Sequence, residues 1–373
     1  MAKGAKFDPV FAALLRGEDA EWPAEADGTA IEVALQRIAR HGIAALLADS
    51  TAASRTLPGA LLAEVRVTAR LHEIRETSGR AVLKGLLLGA DAAGLDILLL
   101  KGARLAYSLY DKPHHRMRGD TDMLVRQADL KVARGLLVAQ GFRREAGRGD
   151  GLHQEPWHSP AEFGQSHVVD LHWRMTNSPA INSRVFDADP FHGAVMLPDL
   201  CEHARGVDAV TCLLHVALNQ AWHAQKGFFV DGRNAGGGDR LGWVYDTHLL
   251  AQALTAEQWS GLEKRAEAAG AAPVVAEALG KASALLGTPL PEGTVDRLAK
   301  AGVQSWLTRY LGEAELRERL RHDFPASTGW REKMRLIQVH LAPPEEALRA
   351  RYPSRNGWPL WALRVARLAR LLP

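Results

Sequence analysis

Three aspartates carry the chemical signal in this 373-residue chain. Asp120 and Asp122 stand two apart in "GDTDMLV", and Asp170 lies in "VVDLHWRM". Residues i and i+2 of a strand share a face, and at about 3.3 Å per residue their Cα atoms lie roughly 6.6 Å apart. The two carboxylates therefore converge in front of one strand, while Thr121 and Met123 turn the other way. In the later strand Asp170, His172 and Arg174 share a face, and Leu171, Trp173 and Met175 take the opposite one. Charges inside apolar strands are costly unless something pairs them. Three carboxylates on two strands can hold hard cations through oxygen ligands, a set that suits magnesium bound with substrate phosphates. Two such ions about 3.5–4 Å apart can stabilise the attacking and leaving oxygens of a phosphoryl displacement. A solvated strand edge would carry an isolated D-x-D equally well. The third carboxylate and an upstream glycine turn favour the metal reading.

The elements around these residues follow from periodicity. "LDILLLKG" is a short apolar run bounded by glycines, a buried-strand pattern, and "ARLAYSLY" after it suits a helix. "DTDMLV" reads as a second strand, "ADLKVARGLLVAQG" as an amphipathic helix stopped at Gly141, "FRREA" as a strand opening, and "SHVVDLHWRM" as a strand. "GRGDGLHQEPWHSPAEFG" reads as hairpin turns or a loop. This order indicates a small α/β unit. Residues 1–90 repeat apolar positions at three- and four-residue steps, with Pro58–Gly59 opening a long helix. From about 180 the chain is helical again, in "DAVTCLLHVALNQAWHA", "RLGWVYDTHLLAQAL" and segments near 257–269, 273–286, 303–321, 330–341 and 358–371.

Composition sets outer limits. The apolar fraction of 47% is that of a globular protein. A net charge of +3 gives no global case for nucleic-acid binding. Cys201 and Cys212 have no zinc spacing, and so few cysteines in so long a chain point to a reduced, cytoplasmic setting. The N-terminus lacks the pattern of a signal peptide. No uncharged apolar stretch reaches the ~20 residues of a membrane span.

Four motifs together resemble a known family. "LKGARL" (100–105), "RMRGDTDMLV" (116–125), "DLHWRM" (170–175) and "LGWVYD" (241–246) are similar to the hallmarks of bacterial uncharacterised nucleotidyltransferases, within the polymerase β-like nucleotidyltransferase superfamily. The lead-in "HGIAALLAD" and the late "RARYPSRNGWPLWALRVARLARLL" also fit, so the likeness runs from about residue 30 to the end. It implies a metal role for Asp120, Asp122 and Asp170. It also implies that the turn at Gly102 lets backbone amides approach a triphosphate. Ala103 departs from the Gly or Ser of better-known members, which removes a hydroxyl contact to phosphate.

The remaining candidates divide between functional and structural roles. Lys101 is a cation for the triphosphate or a surface lysine. Arg116 and Arg118 contact phosphates bidentately or pair with nearby acids. His172 orients a carboxylate, binds substrate, or is structural. Asp246, in a helix of the C-terminal region, is a general base on the acceptor hydroxyl or a helix-bridging acid. His215 and His223 line the same cleft or pack. "DGRNAGGGD" (231–239) lacks the lysine and hydroxyl of a P-loop and reads as a mobile loop or lid. His114–His115 reads as a polar loop. The stretch 358–372, with Trp361, Val365, Leu368, Arg364, Arg367 and Arg370, forms a basic amphipathic helix. Such a helix docks on the protein's own core or makes a weak membrane-surface contact.

The expectation is an α+β fold: an N-terminal helical region (1–90), a small mixed-sheet nucleotidyltransferase core (91–180) and a C-terminal helical region (181–373). The expected activity is a transferase moving an NMP from an NTP such as ATP to a hydroxyl or phosphate acceptor. It depends on two magnesium ions, or manganese, held by Asp120, Asp122 and Asp170, with Asp246 as base. Nucleotide contacts come from Lys101, Gly102, Ala103, Arg116, Arg118 and His172. The acceptor is a small molecule, peptide, protein or RNA. The competing expectation is a non-catalytic nucleotide- or partner-binding module on the same fold.

Overall fold

A computed structural model describes residues 4–23, 28–144, 151–161, 165–230, 233–302, 305–312, 316–341, 345, 348–349, 355 and 357–368. Its centre is a seven-stranded mixed sheet in the order β3-β4-β5-β2-β1-β7-β6. The strands are β1 (Leu98–Leu99), β2 (Thr121–Leu124), β3 (Arg143–Arg144), β4 (Gln154–His158), β5 (Val168–His172), β6 (Val195–Met196) and β7 (Arg205–Gly206). β2 runs antiparallel to β1 and parallel to β5. The fold is α+β, as the strand and helix patterns lead one to expect.

Alternation along the strands sorts the sheet into two faces. On one side Leu99, Met123, Val169 and Leu171 pack against Leu83, Leu86 and Leu87 of α5 (Gly59–Ala92) and Leu137 of α7 (Leu130–Ala139). On the other, Leu98, Leu100 and Leu124 join α9 (Ala209–Lys226), α10 (Leu241–Ala253), α11 (Ala256–Ala268) and α12 (Ala272–Leu286) in the largest core cluster. Asp122 and Asp170 share the parity of Leu124 and His172, so the carboxylates sit on the face that the later helices cover.

The N-terminal helices α1 (Asp8–Leu15), α2 (Gly28–His41), α3 (Ala44–Asp49) and α4 (Thr51–Thr56) build a cluster with Leu61, Leu62 and Val65 of α5. At 1.5 Å per residue, the 34 residues of α5 reach about 51 Å, from this cluster to the sheet. Two local contacts fix the helices over the site. The Asp208 side chain accepts from Thr211 N at 2.9 Å and caps α9, a contact worth about 1 kcal/mol. Leu241 N at the start of α10 donates to His41 Nδ1 at 3.1 Å, which ties α10 to the end of α2.

Several expectations are corrected. The stretch read as turns around Gln154 contains β4, which pairs with both β3 and β5. The sheet continues past residue 180 to Gly206, because β7 pairs in parallel with β1. The segment read as a lid holds a hairpin, β8 (Phe229–Val230) with β9 (Arg233–Asn234); residues 231–232 lie outside the described ones. Arg40 holds its far end through the carbonyls of Ala235 and of Gly237, the latter at 2.5 Å. The late helix spans Leu360–Leu368, with Leu363 buried and Trp361 and Val365 exposed; the last five residues lie outside the described ones.

Candidate active site

The end of β1 meets the start of β2 where Leu100 N donates to Asp122 O at 3.1 Å. On the other flank, Asp122 lies directly opposite Asp170 in the parallel β2–β5 pair. Neighbouring strands are about 4.8 Å apart, so the two carboxylates stand side by side. Asp122, Asp170 and His172 each offer a ligand atom within 4.8 Å of the others. Asp120 comes just before β2 and is exposed at the rim, close enough to raise Asp170 and to be raised in turn by Asp122.

The three acids are not equivalent. Lys101 Nζ donates to Asp122 Oδ1 at 2.8 Å, and His172 Nε2 lies 2.9 Å from the same oxygen. Burial opposes ionisation of Asp122, but these two partners outweigh it and hold the carboxyl well below its usual range. Asp170 has no such partner. Burial, then Asp120, then Asp122, push its carboxyl up to about 7. Asp120 is likewise raised, first by its dense surroundings although its edge reaches solvent, then by Asp122. Burial lowers His172 and favours neutral imidazole. With Nε2–H directed at Asp122, its buried Nδ1 has no hydrogen-bond partner.

Lys101 reaches Asp122 by an uncommon backbone route. Among the described residues it is the one non-glycine with positive φ, at 41°. Such geometry costs of order 1–3 kcal/mol and persists where surrounding structure enforces it. Here Lys101 opens α6 (Lys101–Ala106), and the strained turn drops its ammonium onto the carboxylate. A Cβ on Gly102 would lie 3.5 Å from Arg118 Cβ and Cδ and 3.9 Å from Arg116 Cζ. The glycine backbone thus faces the two arginines across a gap that one methyl would begin to fill. Ala103 is buried and packs with the α5 side of the sheet.

Both arginines are paired with acids. Arg118 Nη1 is 2.6 Å from Glu76 Oε2 and Nη2 3.0 Å from Oε1, its guanidinium stacked on Tyr107, whose hydroxyl donates to Glu76. Arg116 Nε is 2.7 Å from Asp246 Oδ1, and Tyr110 OH donates to that oxygen at 2.7 Å. Asp246 is 1% exposed. Burial pushes its carboxyl up while Arg116 and Tyr110 pull against that push. Enclosed, and engaged on one oxygen by the Tyr110 hydroxyl and the Arg116 ion pair, it does not stand free as a general base. Its geometry is that of a group holding Arg116, whose charge in turn reaches Asp120.

His215 of α9 lies within electrostatic reach of Lys101, Asp122 and His172, and burial drives it well below the usual imidazole value. It also packs edge-on against Phe186. His223 stacks near Trp243 and bonds the Gly227 carbonyl. Glu76 and Tyr110 escape the linear reading: they sit 42 and 136 residues from their partners Arg118 and Asp246, with no motif to mark them.

The profile of a family described as uncharacterised nucleotidyltransferase matches residues 27–287, more than half of the chain. The chain belongs to this family. All four motifs that suggested the likeness fall inside the matched segment, and the matched family supports a general role in nucleotidyl transfer. A search of curated proteins finds no match. The nucleotidyltransferase segment takes in the sheet, α5 and the helices through α12, and stops before the late helices. Among the described residues no helix is long and apolar enough to cross a membrane.

The donor set suits a divalent cation. Two carboxylates in register with a third at the rim give oxygen ligands, and an ammonium already rests on one of them as a fixed cation. Asp170 has no hydrogen-bonded cation, and Lys101 only partly offsets its burial and its two acidic neighbours, the state that a cation would relieve.

Proposed function

We propose that the chain transfers a nucleoside monophosphate from an NTP to a hydroxyl or phosphate acceptor, releasing pyrophosphate. The carrying observation is the in-register Asp122–Asp170 pair with Asp120 two residues ahead of it. Asp120, Asp122 and Asp170 would hold magnesium or manganese, which when bound supplies charge neutralisation for the triphosphate. Lys101 then shares its ammonium between Asp122 and the phosphates. His172 keeps Asp122 aimed by donating from Nε2. The Gly102 backbone leaves room for a phosphate against Arg116 and Arg118, and Ala103 supplies no hydroxyl to it. Asp246, through Arg116, is a positioning residue.

A non-catalytic nucleotide-binding module is the second reading. It is favoured by Ala103 and by the Lys101–Asp122–His172 contacts, which satisfy Asp122 without metal. Each α-labelled NTP, incubated with magnesium or manganese and a cell lysate, separates the two. Label transferred by the parent but not by Asp122→Asn supports the enzyme. Metal-dependent NTP binding without transfer supports the module. Absence of both rejects the site.

A further inference from the structure

We propose a second metal site, for a borderline divalent ion such as Zn2+, formed by Asp49, His114 and His115. The three residues come from two elements. Asp49 ends α3, and the histidines lie on a 3-10 turn, Pro113–His115. One donor atom from each lies within 4.8 Å of the others. His115 Nε2 is 2.9 Å from Asp49 Oδ2, and the imidazoles stand edge to face with centroids 4.9 Å apart. None of these groups belongs to the Asp120–Asp122–Asp170 centre.

The donor chemistry selects the ion. Two imidazoles and one carboxylate make a three-ligand set of the kind that leaves a fourth position on zinc for water. Magnesium prefers all-oxygen surroundings. Glu73 of α5 adds a second negative charge within reach of His114 and Lys112. A cation is already drawn to the place: Lys112 Nζ sits 2.6 Å from Asp49 Oδ2, the oxygen that His115 also contacts. The Lys112 side chain is 56% exposed, so it can move to water when an ion takes its position.

The location gives the site a consequence. The residues that follow His115 deliver Arg116 to Asp246, Arg118 to Glu76 and then Asp120 to the carboxylate centre. Zinc would clamp this segment to α3 and fix both arginines and the rim carboxylate at once.

The test uses the full untagged chain in equilibrium dialysis against Zn2+ with magnesium in excess, and Co2+ absorption as a report of four-coordinate geometry. The buried His115 is left intact, so that loss of metal is not confused with loss of fold. One equivalent of Zn2+ is expected in the parent and in Asp122→Asn. His114→Ala, at a half-buried position, should weaken it by more than the roughly 10–100-fold typical for loss of an outer-sphere partner. Asp49→Asn should do the same, whereas Lys112→Ala should tighten binding by removing the competing ammonium. Zinc lost in Asp122→Asn, zinc unaffected by His114→Ala, zinc weakened by Lys112→Ala, or no zinc bound by the parent would each overturn the proposal.

Discussion

Two carboxylates on adjacent strands of one sheet, Glu155 buried and Asp170 half-buried, have opposite fates. Glu155 of β4 is 0% exposed. It accepts two bonds from Arg134 at 2.7 Å and one from Trp157 Nε1 at 3.1 Å, with Arg144 Nε at 3.3 Å. Asp170 of β5 has no partner of that kind and two acids as neighbours. A buried charge costs several kcal/mol unless its bonds are met. Glu155 meets that requirement from within the chain and serves the fold. Asp170 leaves it unmet, which distinguishes a candidate cation site from a structural ion pair.

The contrast can be broken at either end. The largest effect should come from Asp170→Asn or Asp122→Asn. Each should lower nucleotidyl transfer by on the order of 10²–10³, the cost of one preorganised electrostatic group. Asp170→Asn should leave thermal stability equal or higher, since it removes an unmet charge. A parallel collapse of melting temperature would show that Asp170 is structural.

Glu155→Gln should behave in the reverse sense. It should cost about 3 kcal/mol in urea unfolding, the lower end for breaking a buried pair, because Arg134 can turn partly to water. Activity per folded molecule should stay near the parent's.

Titration sharpens the same comparison. Asp170 keeps its proton in the native chain up to about pH 7, whereas the unfolded carboxyl loses it near pH 4. Between those values the native state binds more protons, so this group's contribution to stability falls as pH rises from about 4 to 7 and is flat above. Asp122 has the opposite slope in a more acidic range, since its pKa is depressed. Unfolding in EDTA at a series of pH values should show the Asp170 slope, and Asp170→Asn should abolish it. Divalent-ion affinity should rise over the same window and level off near pH 7.

A smaller effect is expected at the Asp246–Arg116 pair. Asp246→Asn should raise the KM for NTP more than it lowers kcat, and a double change with Arg116→Ala should add little to Arg116→Ala alone. A pure loss of kcat would restore Asp246 as a base. Smallest of all should be Gly102→Ala: its methyl meets Arg118 at ordinary contact distance, so stability should change by less than about 1 kcal/mol, with NTP binding weakened more than folding.

The legible part of this site was its period-two alternation. D-x-D and D-x-H place their side chains on one face by strand geometry, and the register of β2 with β5 makes the two faces coincide. The long apolar periods of α5, α9 and α10 were legible for the same reason. β1, β3, β6 and β7 are two residues each, and strands so short are defined by their neighbours. β4 is longer, but with Pro156 at its centre it read as a turn. The partners of the cationic groups were illegible because Glu76 lies 42 residues from Arg118 and Asp49 lies 66 from His115. The positive φ of Lys101 has no signature in a lysine.

The long helix α5 has a consequence for how the molecule comes apart. Its first turns belong to the N-terminal cluster, its last turns to the sheet, and Glu76 between them grips Arg118. A continuous helix propagates order from residue to residue, so neither cluster can melt without exposing half of a rod that the other still needs. The two clusters should therefore unfold as one cooperative unit. Amides along Leu61–Ala90 should exchange with solvent deuterium at a single rate set by global opening, and the chain should resist proteolytic separation into an N-terminal piece and a core.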